Sequence, residues 1–176
     1  MQLVVDVGNT ETVIGLASGK RELAGHWRIS SSVSRTIDEM TVLVHAFLSN
    51  NTLGDSKITR GVVGSVVPTA NRVWTKTLRR IVTGEVLVID PQSNLPIELD
   101  VEEPMSVGAD RIANTLAARE LYHRDTIVVD LGTATTFDCI TMEGVFKGGV
   151  ISPGLLTGID WLASRTAKLP RGELAP

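Results

Sequence analysis

The chain has 176 residues, of which 43% are hydrophobic and 21% are charged, enough to bury the core of one domain or two small ones. Its 17 basic and 20 acidic residues give a net charge of -3, and no run of Lys or Arg could track a phosphate backbone, which argues against a nucleic-acid partner. The N-terminus lacks the basic and longer apolar regions of a signal peptide, and no apolar run approaches the roughly 20 residues that span a bilayer. The sequence therefore predicts a cytoplasmic protein without a membrane partner.

The first part of the chain predicts the element order β-β-β-α-β-α-β. Gly8-Asn9-Thr10 interrupts two apolar, β-rich runs and predicts a hairpin. Thr36-Ile37-Asp38-Glu39 is typical of a helix N-terminus. The predicted elements are strands 2–7, 12–16 and 23–29, a helix opening at 36–39, a buried strand 61–67, a helix 68–82 and a strand 85–89.

The second part of the chain begins the same order again. It follows Gln92–Pro104, a polar, proline-containing segment that predicts a linker or crossover. The predicted elements are a helix 109–122, strands 126–130, 135–141 and 145–151, and a helix 154–166 after Pro153. We therefore predict a first domain over 1–107, and a connecting helix with the beginning of a second domain over 108–176.

A repeat at the residue level supports this duplication. Residues 4–12 match residues 128–136 at the constant offset 130 − 6 = 124. The matched positions of the first copy are Val4, Val5, Asp6, Gly8 and Thr12. Because the repeated unit is far longer than a solenoid repeat, we expect a duplicated domain, with the two copies facing each other across a cleft.

Both copies place an aspartate at the end of a buried strand, followed by a glycine turn. Glycine lets the backbone approach a phosphate closely, and the hydroxyls of Thr10, Thr133 and Thr135 are potential phosphate donors. Asp6 and Asp130 would repel phosphates unless Mg²⁺ or another cation lies between them. A single turn of this kind is as easily an ordinary hairpin with a capping Asp, but two matching copies favour a nucleotide site.

Six motifs in this order resemble those of the type III pantothenate kinases. They are Asp6-Val7-Gly8-Asn9-Thr10, Gly64-Ser65-Val66-Val67-Pro68, Val107-Gly108-Ala109-Asp110-Arg111, Asp130-Leu131-Gly132-Thr133-Ala134-Thr135-Thr136, Gly148-Gly149-Val150-Ile151-Ser152-Pro153-Gly154 and Ser164-Arg165-Thr166-Ala167-Lys168-Leu169-Pro170. The resemblance implies an α/β fold, the duplicated ribonuclease-H-like fold of actin and of acetate and sugar kinases, with an incomplete second domain. It also implies a transferase of coenzyme A biosynthesis, a homodimer that phosphorylates pantothenate with ATP.

The resemblance assigns ATP binding to the first turn and to Thr133 of the second. Asp130 would hold the monovalent cation, K⁺ or NH₄⁺, on which the family depends, and Asp6 would meet Mg-ATP directly or through water. A purely local capping role remains the alternative for Asp130. By this resemblance, the ATP-binding residues of the first turn would be Asp6, Val7, Gly8, Asn9, Thr10, Glu11, Thr12 and Val13.

The resemblance also makes Gly108, Ala109, Asp110 and Arg111 the pantothenate-binding segment, with Asp110 as the catalytic base. Read alone, Asp110 is a favourable charge at a helix N-terminus and Arg111 a surface ion-pair partner. One departure concerns the substrate pose: many members carry Tyr where this chain has Val101, nine residues before Asp110.

Two other function classes are open to this sequence. A non-catalytic, nucleotide-dependent regulator can share the fold, but it has no need of a base beside an anion site. Another small-molecule kinase or a phosphatase of the same superfamily is the second alternative, against which the segment Gly108–Arg111 argues.

Cysteine and tryptophan positions carry no functional signal. Cys139 stands alone and alternates with apolar neighbours, which predicts a small buried residue. Trp27, Trp74 and Trp161 are scattered, as core residues usually are.

The position of the last residue generates a prediction. Members of the family continue beyond the segment 168–174 through elements that complete the second domain and its adenosine site. We therefore expect the 176-residue chain alone to bind ATP weakly and to lack measurable kinase activity, with an uncovered apolar sheet face. Equilibrium ATP binding and turnover assays on the purified chain test this, and tight binding with normal turnover would contradict it.

Overall fold

The computed structural model describes residues 1–19, 22–50 and 57–166. The chain divides into two compact units, the first formed by 1–93 with 105–113 and the second by 94–104 with the residues from 114 onward. This division differs from the predicted boundary after residue 107. The segment 94–104 joins the second unit because it adds a strand to that unit's sheet.

The first unit is built on a five-stranded sheet of order β3-β2-β1-β4-β5. β1 pairs antiparallel with β2 and parallel with β4, which pairs parallel with β5. The carboxyl ends of β1, β4 and β5 therefore lie on one edge of the sheet. The strands are β1 (Gln2–Val7), β2 (Glu11–Ala17), β3 (Leu23–Ser30), β4 (Arg60–Ser65) and β5 (Glu85–Ile89).

Two helices, α1 (Ile37–Ser49) and α2 (Pro68–Ile81), pack on each other in the first unit. α1 begins as predicted, because Thr36 accepts from the backbone N–H of Glu39, whose side chain accepts from the backbone N–H of Thr36. α2 begins at Pro68, which has no N–H to leave unsatisfied in the first turn. The buried core beneath the helices includes Leu3, Val5, Ile14, Leu16, Val44, Val63, Trp74 and Leu78.

The second unit contains a four-stranded sheet of order β6-β9-β8-β7. β7, β8 and β9 form an antiparallel meander, and β6 pairs parallel with β9. Within the described part of the chain, β7 pairs with β8 alone. The elements are β6 (Glu98–Leu99), β7 (Thr126–Leu131), β8 (Ala134–Ile140), β9 (Val145–Pro153) and α4 (Leu155–Arg165).

Helix α3 (Ala109–Tyr122) has the predicted bounds and follows a short 3₁₀ helix over Pro104–Ser106. Its residues 109–113 belong to the first unit and the rest to the second. No helix in the described ranges is long and apolar enough to cross a membrane.

The second unit exposes the apolar surface that the sequence predicted. Alternate residues of β7 point to one uncovered face, with Ile127 64%, Val129 49% and Leu131 70% exposed. Two predictions in this unit are wrong. Trp161 is 59% exposed, and Cys139 is exposed because the buried face of β8 carries its neighbours Asp138 and Ile140.

Thr77 of α2 generates a stability prediction. Its side chain is fully buried and its Oγ1 has no hydrogen-bond partner in the described structure. A buried hydroxyl without a partner costs about 1–3 kcal/mol. We expect Thr77→Val, which keeps the branched shape, to raise the free energy of unfolding by about 1 kcal/mol in urea titrations.

Thr41→Val is the matched control, because the hydroxyl of Thr41 donates to the carbonyl of Ile37 at 2.6 Å. It should bring no gain. Destabilisation by Thr77→Val would show that the hydroxyl is satisfied after all.

Candidate active site

The first turn joins β1 to β2 and is closed by one backbone hydrogen bond, from Gly8 N–H to the carbonyl of Glu11 at 3.0 Å. A Cβ on Gly8 would come within 2.9 Å of that same oxygen, so the turn requires glycine. Asp6, Asn9 and Thr10 are exposed at this end of β1. Their polar groups are therefore accessible to a ligand.

The second turn has the same construction but is one residue shorter. Gly132 N–H donates to the carbonyl of Ala134 at 2.9 Å. Asp6 pairs with Val13 in the first hairpin and Asp130 with Thr136 in the second, so the offset is 124 before the turn and 136 − 13 = 123 after it.

The strand pairing therefore gives Thr12 a different counterpart in the second turn from the one that the sequence repeat gives it. Thr12 pairs with Val7, and Thr135 pairs with Leu131. Thr135 is thus the structural counterpart of Thr12, although the constant sequence offset matches Thr12 with Thr136.

The start of α4 holds the second turn. The carbonyl of Thr133 accepts from Gly154 N–H at 3.1 Å and from the hydroxyl of Thr157 at 3.0 Å. A Cβ on Gly154 would collide with the carbonyl groups of Gly132 and Thr133. This close approach explains the glycine that ends the motif 148–154.

Asp130 lies exposed at the end of β7, where Asn114 of α3 donates from Nδ2 to its Oδ2 at 3.4 Å. Asn114 belongs to no motif, so the sequence analysis missed it. Among the described residues no group of three or more His, Cys, Asp and Glu could hold a metal ion. A single carboxylate at each turn instead fits a cation that is shared with phosphate oxygens, as Mg²⁺ usually is.

The predicted substrate segment forms the first turn of α3. Asp110 is half-buried, and its Oδ1 accepts from the backbone N–H of Arg111 at 2.7 Å. A Cβ on Gly108 would press against this oxygen and against Val66. Gly108 therefore leaves the space in which the Asp110 carboxylate lies, at a helix end that favours negative charge.

Three of the predicted motifs meet at the carboxyl edge of the first sheet. Val66 N–H donates to the carbonyl of Val7 at 3.0 Å, which ties the segment after β4 to the end of β1. The position of Gly64 faces the Cβ of Ala109, and that of Gly108 faces Val66. The first turn, residues 64–68 and residues 108–111 thus share the edge at which open α/β sheets bind ligands.

The remaining motif positions are only partly described. Gly148 adopts φ +96°, which favours glycine, and its open side faces Val101. Of the motif 164–170, residues 167–170 lie outside the described residues.

The Gly154 contact generates a prediction. Gly154→Ala should displace the second turn and destabilise the chain by about 1–3 kcal/mol, as overpacking does. Gly158→Ala is the control, because a Cβ at this position in α4 meets nothing within 4 Å. It should stabilise the helix by about 0.5–1 kcal/mol. Urea unfolding and the amide chemical shifts of residues 132–134 measure both, and equal effects would refute the contact.

Comparison with known proteins agrees with these motifs. The family model described as type III pantothenate kinase matches residues 2–176. The chain is 42% identical to the type III pantothenate kinase of Moorella thermoacetica over 174 residues, which are 99% of this chain and 68% of that relative. It is 39% identical to that of Myxococcus xanthus over 175 residues, with the same coverage. The relatives thus have further sequence without a counterpart in these 176 residues.

Comparison with solved structures agrees with the predicted fold. The ethanolamine utilization protein EutJ from Carboxydothermus hydrogenoformans superposes with a TM-score of 0.54 at 18% identity, over 96% of this chain and 57% of that chain. A putative 2-dehydro-3-deoxygalactonokinase from Sinorhizobium meliloti superposes with a TM-score of 0.55 at 12% identity, over 95% of this chain and 58% of that chain. The predicted α/β fold class is therefore confirmed. By the family match and the identity to its members, this chain belongs to the type III pantothenate kinase family.

Proposed function

We propose that the intact protein phosphorylates pantothenate with ATP to give 4'-phosphopantothenate, with Asp110 as the base. The observation that carries this proposal is the meeting of the first turn and the segment Gly108–Arg111 at the carboxyl edge of the first sheet. Phosphoryl transfer needs the phosphates and the attacking hydroxyl to be held together, and little covalent chemistry beyond that. The family supplies the substrates, pantothenate and ATP.

The first turn supplies the phosphate contacts. Its glycine admits close approach of the backbone, and the exposed hydroxyl of Thr10 and amide of Asn9 can donate to phosphate oxygens. Mg²⁺ bound to the phosphates would neutralise their charge, and Asp6 is the residue to hold it. Thr133 would contact the phosphates from the second turn.

Asp110 is the group best suited to take the proton. One carboxylate oxygen is held by the backbone N–H of Arg111, and the other accepts no hydrogen bond from a described residue. As the pantothenate hydroxyl oxygen bonds to the γ-phosphorus, the bond from that phosphorus to the β,γ-bridging oxygen breaks and ADP leaves. The hydroxyl proton passes to Asp110, late in a loose transition state.

Arg111 and Asp130 supply two further charges to the proposed reaction. Arg111 supplies a fixed positive charge for the pantothenate carboxylate or a phosphate. Asp130, oriented by Asn114, would hold the K⁺ or NH₄⁺ ion. We also propose a cytoplasmic homodimer, as expected of this family.

Asp110→Asn tests the base. We expect kcat to fall at least about 100-fold, the usual worth of a positioned base, with the free energy of unfolding unchanged. Glu85→Gln is the matched control, since it removes one carboxylate at the amino end of β5, on the opposite edge of the same sheet. An ATP-dependent assay with pantothenate, sugars and short acids measures both, and an Asp110→Asn variant within threefold of wild type excludes the base role.

Asp130→Asn tests the cation site. It removes the charge that a bound cation requires, so activation by K⁺ or NH₄⁺ should be lost while the activity without these ions is retained. Titration of turnover with KCl and NH₄Cl against a choline chloride control measures this. An unchanged activation curve would exclude Asp130 as the cation ligand.

A further inference from the structure

A serine-rich segment, residues 30–34, links β3 to α1 and has no part in the motifs. It lies directly beside the first turn. The backbone N–H of Ser31 donates to the carbonyl of Thr10 at 2.9 Å. The hydroxyl groups of Ser31 and Thr12 form a hydrogen bond of 2.8 Å.

The hydroxyl pair is part-buried. Only 2% of Thr12 is exposed, so its hydroxyl depends on Ser31 for a partner. A buried hydroxyl that loses its partner is costly, whereas replacing both partners by apolar groups of similar shape can be nearly neutral. The burial also argues that Thr12 supports the turn through its side chain, whereas the exposed Thr10 is placed to contact a ligand.

On its other side the same segment is held by Arg35, directly before α1. Arg35 donates from Nη1 to the carbonyl groups of Ser30 at 3.0 Å and Val33 at 3.3 Å. Thr36 follows at once as the N-cap of α1, and its backbone and side-chain hydrogen bonds hold the pKa of Glu39 below its usual value. The segment between the first turn and the N-cap of α1 is therefore held by polar contacts at both of its ends.

An open cavity borders this connection. A cavity of about 210 Å³ is lined by the serine segment, by Thr12 and by the first residues of α2, including Thr69 and Ala70. The segment borders this open space, so its hydrogen bonds to Thr10 and Thr12 hold it beside the first turn. Removing one of these hydrogen bonds should therefore loosen the turn itself.

We propose that Ser31 and Thr12 position the phosphate-binding turn 8–11, as a hydrogen-bonded brace between that turn and the N-terminus of α1. The proposal rests on the proposed function for its effect on ATP, but the brace itself is a property of the first unit. Ser31 and Thr12 act through the turn and are positioning residues.

Three variants separate positioning from stability. Ser31→Ala removes the hydroxyl but keeps the backbone bond to Thr10. Thr12→Val with Ser31→Ala replaces both partners by apolar groups. Ser32→Ala is the control from the same segment, because the Ser32 hydroxyl pairs with that of Ser30 at 2.7 Å and does not reach the turn. Each is measured by urea unfolding, by amide hydrogen exchange of residues 8–12, and by KM and kcat of the intact protein.

Ser31→Ala should speed exchange of the turn amides and raise the KM for ATP, each by about five- to tenfold, the worth of one hydrogen bond. The KM for pantothenate should not change. The double variant should recover wild-type stability but keep the fast exchange and the raised KM for ATP. Ser32→Ala should match wild type throughout.

Recovery of exchange and of the KM for ATP together with stability in the double variant would overturn the proposal, since the pair would then be merely structural. Equal effects of Ser31→Ala and Ser32→Ala would also overturn it. If the wild-type protein did not phosphorylate pantothenate, the proposed function would fail. The amide exchange rates measured without ATP would still test whether Ser31 and Thr12 position the turn. Faster exchange in Ser31→Ala supports this, and unchanged exchange refutes it.

Discussion

The pairing of β1 with both its neighbours is the constraint on which the site of the first unit depends. β1 runs antiparallel to β2 and parallel to β4. The antiparallel partner makes a tight turn directly after Val7, and the parallel partner brings the end of β4 to the same edge. Both consequences follow from strand direction, because an antiparallel pair can be joined by a short turn while parallel strands end together.

Close approach of backbone groups then determines which residues the edge can hold. The N–H of Gly8 donates to the carbonyl of Glu11 at 3.0 Å, and Gly108 leaves room for the Asp110 carboxylate beside Val66. A side chain at either position would push apart groups that the proposed chemistry needs together. The glycines of the motifs are thus explained by space in the folded protein.

The second unit repeats this construction with a change in length. Its turn is closed by Gly132 in the same way, but with one residue fewer, and the start of α4 fixes it through the carbonyl of Thr133. The duplicated elements have therefore diverged in detail while keeping an aspartate before the turn and a glycine within it. A carboxylate before the turn in both units agrees with the cation-dependent phosphoryl transfer proposed above.

The fold class, the bounds of α3, the N-termini of α1 and α2 and the two glycine turns could be predicted from the sequence, because they depend on local signals: strand alternation, a capping box, a proline and a repeated motif. Which segments lie side by side was visible only in the folded structure. The pairing of β6 with β9 placed 94–104 in the second unit, and the burial of Asp138 exposed Cys139 on β8. The contact of Ser31 with Thr12 joins residues 19 positions apart through the pairing of β2 with β3. No local sequence pattern predicts such contacts, since they depend on strand register and on the space between packed elements.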